Sequence, residues 1–337
     1  MLRETLPASW YWDPEIWARE REAIFGREWL MVARVGQLST PGSYVANDVC
    51  GWKVLLVVGD DGVMRGFHNV CLHRAGPLVW DGTGVCSSSS LVCRYHGWAY
   101  GLDGCLRSAR DFGAEVETSG LGLHLVPVRA EVWRGLVFVN LWADAPPLLE
   151  SLGSFVEECE AFPMESLTFW GDVSHDVAAN WKTYADNYGE GYHIPLVHPE
   201  LNRQVEAKRY TVEVDDDGRY AIHSAPSRSG ATTSGKWLWR FPNLALNLYP
   251  DGMNVERFMP LGPRQVRIEY SYFFADPEAP ANAEAVRLSG ALLDEDRLIC
   301  EAVQRNLESG AYDTGVLSPK HENGVAAFQQ LVRDAIT

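Results

Sequence analysis

The sequence predicts an α+β protein of two domains: an all-β domain, then a domain in which an antiparallel sheet packs against one long helix. Three observations support this prediction. Short apolar runs separated by turn residues fill positions 36–145, a Pro-Pro pair at 146–147 interrupts the chain, and further strand patterns then precede a helical pattern at 281–309. A length of 337 residues is enough for two domains of ordinary size.

The segment 1–35 is predicted to be helical and to pack on the second domain. Asp13 is a suitable N-cap and Pro14 suits the first helical position, so we expect the helix to span 13–30. Large apolar residues recur there at helical spacing: Ile16, Trp17, Ile24, Phe25 and Trp29.

The predicted first domain, 36–145, consists of short strands. A buried strand at 53–58, the turn Asp60-Asp61-Gly62 and a second strand at 63–68 are predicted to form a β-hairpin. Further strands are expected at two places: 123–129 and 136–141.

The predicted second domain, 146–337, combines helices with an antiparallel sheet. Strands are expected at 167–175, 210–214, 220–223, 243–249, 253–260 and 265–274. Helices are expected at 149–161, 180–188 and 281–309. The long helix would pack against the sheet and complete an α+β layer.

Two short Cys/His pairs lie in the first domain. Cys71 and His73 are followed after nineteen residues by Cys93 and His96, so the chain offers two thiolates and two imidazoles. A Rieske [2Fe–2S] cluster needs this donor set, because two Cys bind one iron and two His bind the other. Structural zinc accepts the same donors, but Cys-x-His…Cys-x-x-His is not the usual zinc-finger order. The pattern predicts a Rieske cluster, with zinc as the alternative.

A second candidate metal site lies in the second domain. His193 and His198 are five residues apart, and Gly191 and Pro195 break the helix around them, so both imidazoles could face one ion. A single His is more often a surface or hydrogen-bonded residue, whereas two His with one carboxylate form the facial triad of non-haem ferrous oxygenases. Three consecutive carboxylates near the start of the long helix are candidates: Asp294, Glu295 and Asp296.

Both stretches resemble one enzyme family. Residues 69–74 and 93–98 are similar to the Rieske domain of ring-hydroxylating oxygenases and choline monooxygenase-like enzymes. Residues 180–201 resemble the mononuclear-iron motif of Rieske oxygenase α subunits, and Tyr-His-Ile-Pro at 192–195 looks like the choline monooxygenase and betaine-demethylating branch. The resemblance covers residues 5–333 and implies a Rieske domain at 36–145 followed by a helix-grip (START-like) catalytic domain.

The resemblance implies two iron centres. It assigns the Rieske [2Fe–2S] cluster to the four residues of the first domain: Cys71, His73, Cys93 and His96. It assigns a mononuclear Fe(II) to His193, His198 and Asp296, with Asp294 and Glu295 left open as alternatives to Asp296.

The same resemblance gives roles to two further acidic residues. Glu190 would bridge the Rieske His of one subunit to a mononuclear-iron His of its neighbour, which implies a head-to-tail homotrimer. Asp186 is expected to support the iron ligands from beside them.

The implied function is that of a terminal oxygenase, either a monooxygenase or a dioxygenase. It would use dioxygen and electrons from NAD(P)H, which a separate ferredoxin or flavin reductase would deliver. The expected substrate is a small N-methylated or quaternary ammonium compound, which would be hydroxylated or oxidatively N-demethylated. An aromatic compound is the alternative, and a Rieske electron carrier without oxygenase activity is a remote one. A basic residue in the pocket would favour an aromatic carboxylate, and the candidates are Lys236, Arg240 and Arg257.

Four aromatic residues are candidates for the lining of that pocket: Trp237, Trp239, Phe241 and Tyr249. Aromatic rings recognise quaternary ammonium groups through cation–π contacts. Aromatic residues at alternate positions are more often sheet core, and this remains the competing interpretation.

Composition narrows the partners and the location. The net charge is −16 and no basic stripe is visible, so nucleic acid and anionic membrane are not expected partners. No run of about eighteen apolar residues is present that could span a membrane. Two of the seven Cys are assigned to the cluster, and the other five show no paired spacing: Cys50, Cys86, Cys105, Cys159 and Cys300. They indicate free thiols, and we expect a cytoplasmic protein.

Overall fold

The computed structural model describes residues 3–111, 122–228 and 235–337. The chain forms two compact units: residues 26–153 make one, and residues 1–25 join residues 154–337 in the other. Among the helices described, none is long and apolar enough to cross a membrane.

The strands, in chain order, are β1 (Arg3–Glu4), β2 (Leu30–Arg34), β3 (Ser43–Val49), β4 (Trp52–Val58), β5 (Met64–His68), β6 (Gly82–Val85), β7 (Ser90–Val92), β8 (Ala99–Gly101), β9 (Leu106–Ser108), β10 (Pro127–Trp133), β11 (Leu136–Asn140), β12 (Thr168–Val177), β13 (Thr211–Val214), β14 (Tyr220–Ser224), β15 (Lys236–Arg240), β16 (Leu244–Tyr249), β17 (Gly252–Gly262), β18 (Gln265–Phe274) and β19 (Val316–Leu317). The α-helices are α1 (Pro14–Glu20), α2 (Leu148–Leu152), α3 (Phe155–Glu160), α4 (Trp181–Tyr188), α5 (Ile194–Val197), α6 (Pro199–Gln204), α7 (Ala281–Leu307) and α8 (Asn323–Ile336).

The unit of residues 26–153 is all-β apart from short helical turns. Its larger sheet has the order β2-β11-β10-β5-β4-β3-β6, and a smaller sheet has the order β7-β8-β9. Every pairing is antiparallel. One Cys/His pair lies in the loop between β5 and β6, and the other lies between β7 and β8. The sheets therefore hold both loops at their ends, as the sequence predicts.

The N-terminal helix is shorter than the sequence predicts. Asp13 caps it by accepting a 2.8 Å hydrogen bond from the N–H of Glu15, but α1 passes into a π-helical turn that ends at Phe25. The predicted end at residue 30 is wrong, because Leu30–Arg34 is strand β2 and pairs with β11. Gly26 follows the last helical residue. The apolar residues of the next strand, Leu30–Arg34, are buried one after another, as in a strand covered on both faces, and not at helical spacing.

The second unit is built on one seven-stranded antiparallel sheet with the order β12-β18-β17-β16-β15-β14-β13. The predicted antiparallel sheet with a long helix is confirmed. Gly153, at φ 55°, separates α2 from α3, so the single helix predicted at 149–161 is two short helices. Helix α8 and strand β15 were not predicted from the sequence.

The N-terminal segment belongs to this second unit. The N–H of Leu6 donates to Gln329 Oε1 of α8 at 2.9 Å. Glu20 is fully buried, accepts a hydrogen bond from Trp181 Nε1 at 2.9 Å and pairs with the buried Lys182 at 2.6 Å. These contacts fix both ends of the segment to helices of the second unit.

Candidate iron centres and active site

His193 and His198 lie at the two ends of the short helix α5 and point their Nε2 atoms at each other. Pro195 occupies the first turn of α5, which suits its fixed φ and starts the helix directly after His193. The two Nε2 atoms are 3.1 Å apart. Asp296 Oδ1, from α7, lies 3.0 Å from His198 Nε2 and 3.7 Å from His193 Nε2. Ligand atoms of all three residues lie within 4.8 Å of one another.

A neighbouring polar side chain holds each of these three residues in place. Glu190 Oε1 lies 2.6 Å from His193 Nδ1, and Glu295 Oε2 lies 2.7 Å from His198 Nδ1. Asn187 donates to Asp296 Oδ1 at 2.6 Å. A carboxylate on Nδ1 fixes the imidazole tautomer so that Nε2 presents its lone pair.

The donor set fits a mononuclear ferrous ion. Two nitrogens bound to one metal at about 2.1 Å and roughly at right angles lie about 3 Å apart, which is close to the observed Nε2–Nε2 separation. Burial lowers the pKa of His198, but Asp296 and then Glu295 outweigh burial and raise it. Two imidazoles and one carboxylate are the facial triad that leaves positions open for dioxygen and substrate.

The structure separates the three carboxylates that the sequence left open. Asp296 faces both imidazoles, whereas Glu295 contacts only the far nitrogen of His198. Asp294 is exposed and pairs with Arg297.

Asp186 lies away from the three candidate ligands. Among the described residues its carboxylate accepts hydrogen bonds from Tyr11 at 2.5 Å and Gln329 at 3.0 Å. Burial is the main reason that its pKa is raised to about 7. The expectation that Asp186 supports the iron ligands is not supported by these contacts, because its position on α4 faces the N-terminal segment and α8.

The two Cys/His loops close with the same backbone hydrogen bonds. The carbonyl of Cys71 accepts from the N–H of Ala75 at 3.0 Å, and the carbonyl of Cys93 accepts from the N–H of Gly97 at 3.0 Å. Ala75 and Gly97 both have a positive φ, 53° and 75°. The sequence spacing therefore produces two equivalent turns, each of which presents one Cys and one His.

The side chains of these loops fit a Rieske cluster. Cys71 and Cys93 are buried, and the rings of His73 and His96 lie 4.7 Å apart between centroids. Cys71 Sγ lies 3.3 Å from Tyr100 Oη. His73 Nδ1 is buried without a hydrogen-bond partner in the described part of the chain, which is costly unless another group binds it. Iron coordination would satisfy this nitrogen and both thiolates.

Comparison with known protein families agrees with both centres. The Rieske [2Fe-2S] domain family matches residues 28–119, and the family described as ring hydroxylating alpha subunit (catalytic domain) matches residues 164–337. The chain belongs to the ring hydroxylating alpha subunit family. As a Rieske non-haem iron oxygenase, it uses a Rieske [2Fe–2S] cluster and a mononuclear iron.

Members of this family with similar sequences act on quaternary ammonium compounds. The carnitine monooxygenase oxygenase subunit of Escherichia coli K12 is 31% identical over 97% of this chain and 92% of its own length. Choline monooxygenase from Atriplex hortensis is 28% identical over 96% of this chain and 76% of its own length. A solved structure of a quaternary ammonium Rieske monooxygenase, studied for carnitine oxidation and inter-subunit electron transfer, matches with a TM-score of 0.88 at 27% identity, covering 100% of this chain and 96% of that one.

A cavity of about 130 Å³ opens beside the three candidate iron ligands. Its aromatic lining consists of Tyr184, Tyr188, Tyr210 and Trp237, and its acidic lining consists of Glu190 and Asp296. Gly191 allows this packing, since a Cβ there would come within 2.4 Å of the Tyr210 ring. Of the four aromatics considered from sequence, only Trp237 is among the lining residues.

The polar atoms of these aromatic residues are already bonded behind the cavity wall. Tyr184 donates to Glu256 at 2.9 Å and Tyr188 donates to Asn247 at 2.7 Å. Tyr210 Oη lies 2.9 Å from His223 Nδ1. Trp237 Nε1 donates to Tyr249 at 3.1 Å, so Tyr249 supports the wall without forming it. The cavity is thus bordered by aromatic rings whose hydrogen-bonding groups are occupied elsewhere.

Sequence reasoning did not find Asn187, Glu295 as a partner of His198, or the tyrosines of the cavity. Tyr184, Asn187 and Tyr188 have the three- and four-residue spacing that places side chains on one helical face, and this signal was available. Glu256 stands in an otherwise largely apolar strand, which indicates a buried polar contact but does not identify its partner.

Proposed function

We propose that the chain is the terminal oxygenase component of a multicomponent system that oxidises a small quaternary ammonium or N-methylated compound. The cavity carries this proposal. Among the described residues its lining contains two carboxylates and four aromatic side chains but no Lys or Arg. A quaternary ammonium has no N–H to donate, so aromatic rings and carboxylates are the groups that recognise it.

The residues that would favour an aromatic carboxylate are engaged elsewhere. Lys236 pairs with Glu158 at 2.6 Å, and Arg257 pairs with Glu269 at 2.7 Å. Arg240 donates to the carbonyl of Phe241 at 2.8 Å. An aromatic carboxylate would therefore find no Lys or Arg among the described residues that line the cavity, which disfavours the aromatic-acid alternative.

We propose that His193, His198 and Asp296 hold the mononuclear iron. The Rieske cluster would be held by Cys71, His73, Cys93 and His96. Bound in these sites, the cluster supplies single electrons and the ferrous ion supplies the redox chemistry that activates dioxygen. The protein's own contribution is orientation: Glu190 and Glu295 hold the two imidazoles, and the aromatic wall holds a methylated nitrogen beside the iron ligands.

Glu190 is the residue through which a neighbouring subunit would act. It borders the substrate cavity and also a separate cavity of about 550 Å³ in the same unit. The contact of Glu190 with His193, together with the inter-subunit electron transfer described for the similar quaternary ammonium monooxygenase, supports the proposal that Glu190 links His193 to the Rieske His of a second subunit in a homotrimer. A separate ferredoxin or flavin reductase would supply the electrons, and a cytoplasmic location remains a prediction.

A single-turnover assay tests the proposed function. The iron-loaded protein, reduced chemically, is exposed to ¹⁸O-labelled dioxygen with choline, betaine and carnitine analogues or with aromatic acids. We expect formaldehyde or an oxidised ammonium product from the first set and none from the second. The His198→Ala variant, with its Rieske spectrum intact, is the inactive control.

The outcomes separate the alternatives. Labelled hydroxy- or dihydroxy-aromatics would move the protein to ring hydroxylation. If no compound reacts although both iron sites are filled, the oxygenase class stands and the proposed substrate class is wrong.

A further inference from the structure

A buried carboxylate lies behind the aromatic wall of the substrate cavity. This wall consists of Tyr184, Tyr188, Tyr210 and Trp237. Glu256, on β17, is 2% exposed and is not among the residues that line the cavity. Its Oε1 accepts hydrogen bonds from Tyr184 at 2.9 Å and Tyr270 at 2.8 Å, and its Oε2 accepts one from Asn247 at 3.1 Å. All three partners donate, so both oxygens of Glu256 act as acceptors.

Glu256 also controls the second tyrosine of the wall. The amide nitrogen of Asn247 donates to Glu256 and to Asn254 Oδ1, which leaves the amide oxygen of Asn247 to accept from Tyr188 at 2.7 Å. Reversing the amide would set its oxygen against two other acceptors. The orientation of Asn247, and hence the position of the Tyr188 hydroxyl, depends on the carboxylate.

We propose that Glu256 is a positioning residue that fixes Tyr184 directly and Tyr188 through Asn247, and thereby determines recognition of the cationic end of the substrate. This inference rests on the proposed function. The two tyrosines are four residues apart on α4 and form one side of the cavity. Cation–π attraction depends on where the ring face lies, so a small displacement of these rings weakens it.

Glu256→Gln isolates this role because it keeps the size of the side chain. A glutamine oxygen can still accept from Tyr184 and Tyr270, but its amide nitrogen then opposes the donating nitrogen of Asn247. Asn247 must turn, and Tyr188 loses its acceptor. Tyr188→Phe removes the same hydrogen bond from the other end, and Asn247→Ala removes the connection between them.

The test measures binding of choline and of its uncharged carbon analogue, 3,3-dimethylbutan-1-ol, to the iron-loaded protein by calorimetry without oxygen. We expect Glu256→Gln to weaken choline binding about tenfold and to change binding of the neutral analogue by less than about twofold. The double variant Glu256→Gln/Tyr188→Phe should be no weaker than the weaker single variant, because both changes break one connection.

Tyr272→Phe is the matched control. Tyr272 is a buried tyrosine of the same sheet whose hydroxyl donates to Ser289 at 2.9 Å, so its loss should lower stability without changing the preference for choline. Equal loss of both ligands in Glu256→Gln, or full additivity with Tyr188→Phe, would overturn the inference. If Glu256→Gln does not fold, Tyr188→Phe and Asn247→Ala decide the question by the same two ligands.

Failure of the proposed function gives a different result. Wild-type protein that binds choline no more tightly than 3,3-dimethylbutan-1-ol would contradict a cationic substrate. Wild-type protein that prefers choline, together with a Glu256→Gln variant of unchanged preference, would remove only the role of Glu256.

Discussion

At the scale of single residues, substitutions of three adjacent carboxylates on α7 should reduce iron affinity to different extents. Asp296→Ala should abolish mononuclear iron binding, because it removes the carboxylate that faces both imidazoles. Glu295→Gln should weaken iron binding about 10- to 100-fold, the usual cost of losing a carboxylate behind a metal-binding His. Asp294→Asn is the matched control and should bind iron normally, because Asp294 is exposed and pairs with Arg297.

Iron content and ferrous titrations with a chelator measure this series, and the Rieske absorption spectrum should be the same in all three variants. Equal iron affinity in Asp296→Ala and Asp294→Asn would remove Asp296 from the ligand set.

Glu190→Gln addresses electron transfer rather than iron binding. Its Oε1 lies 2.6 Å from His193 Nδ1, so the amide keeps a similar volume but loses the charge that orders the pair. We expect both iron centres to remain bound while oxidation of the reduced cluster, with substrate and dioxygen present, slows at least tenfold. Stopped-flow absorbance measures this rate, and an unchanged rate would contradict the bridging role.

The site shows what the sequence could and could not predict at this scale. Short local turns connect His193 to His198, and connect the Cys to the His within each Cys/His pair. The sequence therefore predicts that the two residues of each pair lie close together. The choice between Glu295 and Asp296 depends on the rotation of α7 against α5, which long-range packing sets. The role of Asp186 also depends on long-range packing, because its hydrogen bonds go to Tyr11 and Gln329, which are distant in sequence.

At the scale of secondary-structure elements, Asp186 connects α4 to the N-terminal segment and to α8, and this connection should depend on pH. Burial raises the pKa of Asp186 to about 7 from the ordinary value of 3.8. Between these values the folded chain holds a proton that the unfolded chain has lost. The contribution of this group to stability is therefore complete below pH 3.8 and decreases as pH rises to about 7.

Asp186→Asn removes this titration while keeping the shape of the side chain. We expect the free energy of unfolding of the wild type, relative to Asp186→Asn, to fall steadily between about pH 4 and pH 7 and then to level off. Urea unfolding at several pH values measures it. A difference that rises with pH would mean that Asp186 is ionised in the folded protein.

Elements with strong local signals were predicted well, and those defined by long-range packing were not. The hairpin of β4 and β5 and the strands β17 and β18 have clear turns between apolar runs. Helix α8 was missed although its face is apolar, since Phe328 is buried against Trp181 and Trp239, which are distant in sequence. The first helix was predicted too long because Trp29 continues the helical spacing, although the helical part ends at Phe25, directly before Gly26.

At the scale of the whole molecule, a homotrimer with electron transfer between subunits can be tested by complementation. His96→Asn should lack the cluster and His198→Ala should lack the mononuclear iron, so each variant alone should be inactive. Co-expressed and randomly mixed in a head-to-tail ring, they should recover about a quarter of the wild-type activity per chain.

Sedimentation should show a multiple of three subunits, and tandem purification with two affinity tags isolates the mixed assemblies. Mixed assemblies that contain both iron centres but have no activity would indicate transfer within one subunit, and a monomer would exclude the ring.

The N-terminal segment has a consequence for synthesis. Leu6 finds its hydrogen-bond acceptor on Gln329, 323 residues later in the chain. At about 5–20 residues per second, a ribosome needs about fifteen seconds to a minute to supply that partner. The unit of residues 26–153 is complete early in this interval. Apolar side chains such as Ile24 and Phe25 stay exposed until the residues of their own unit, 154–337, have been synthesised. We therefore expect chaperones to bind the beginning of the chain while the rest is being translated.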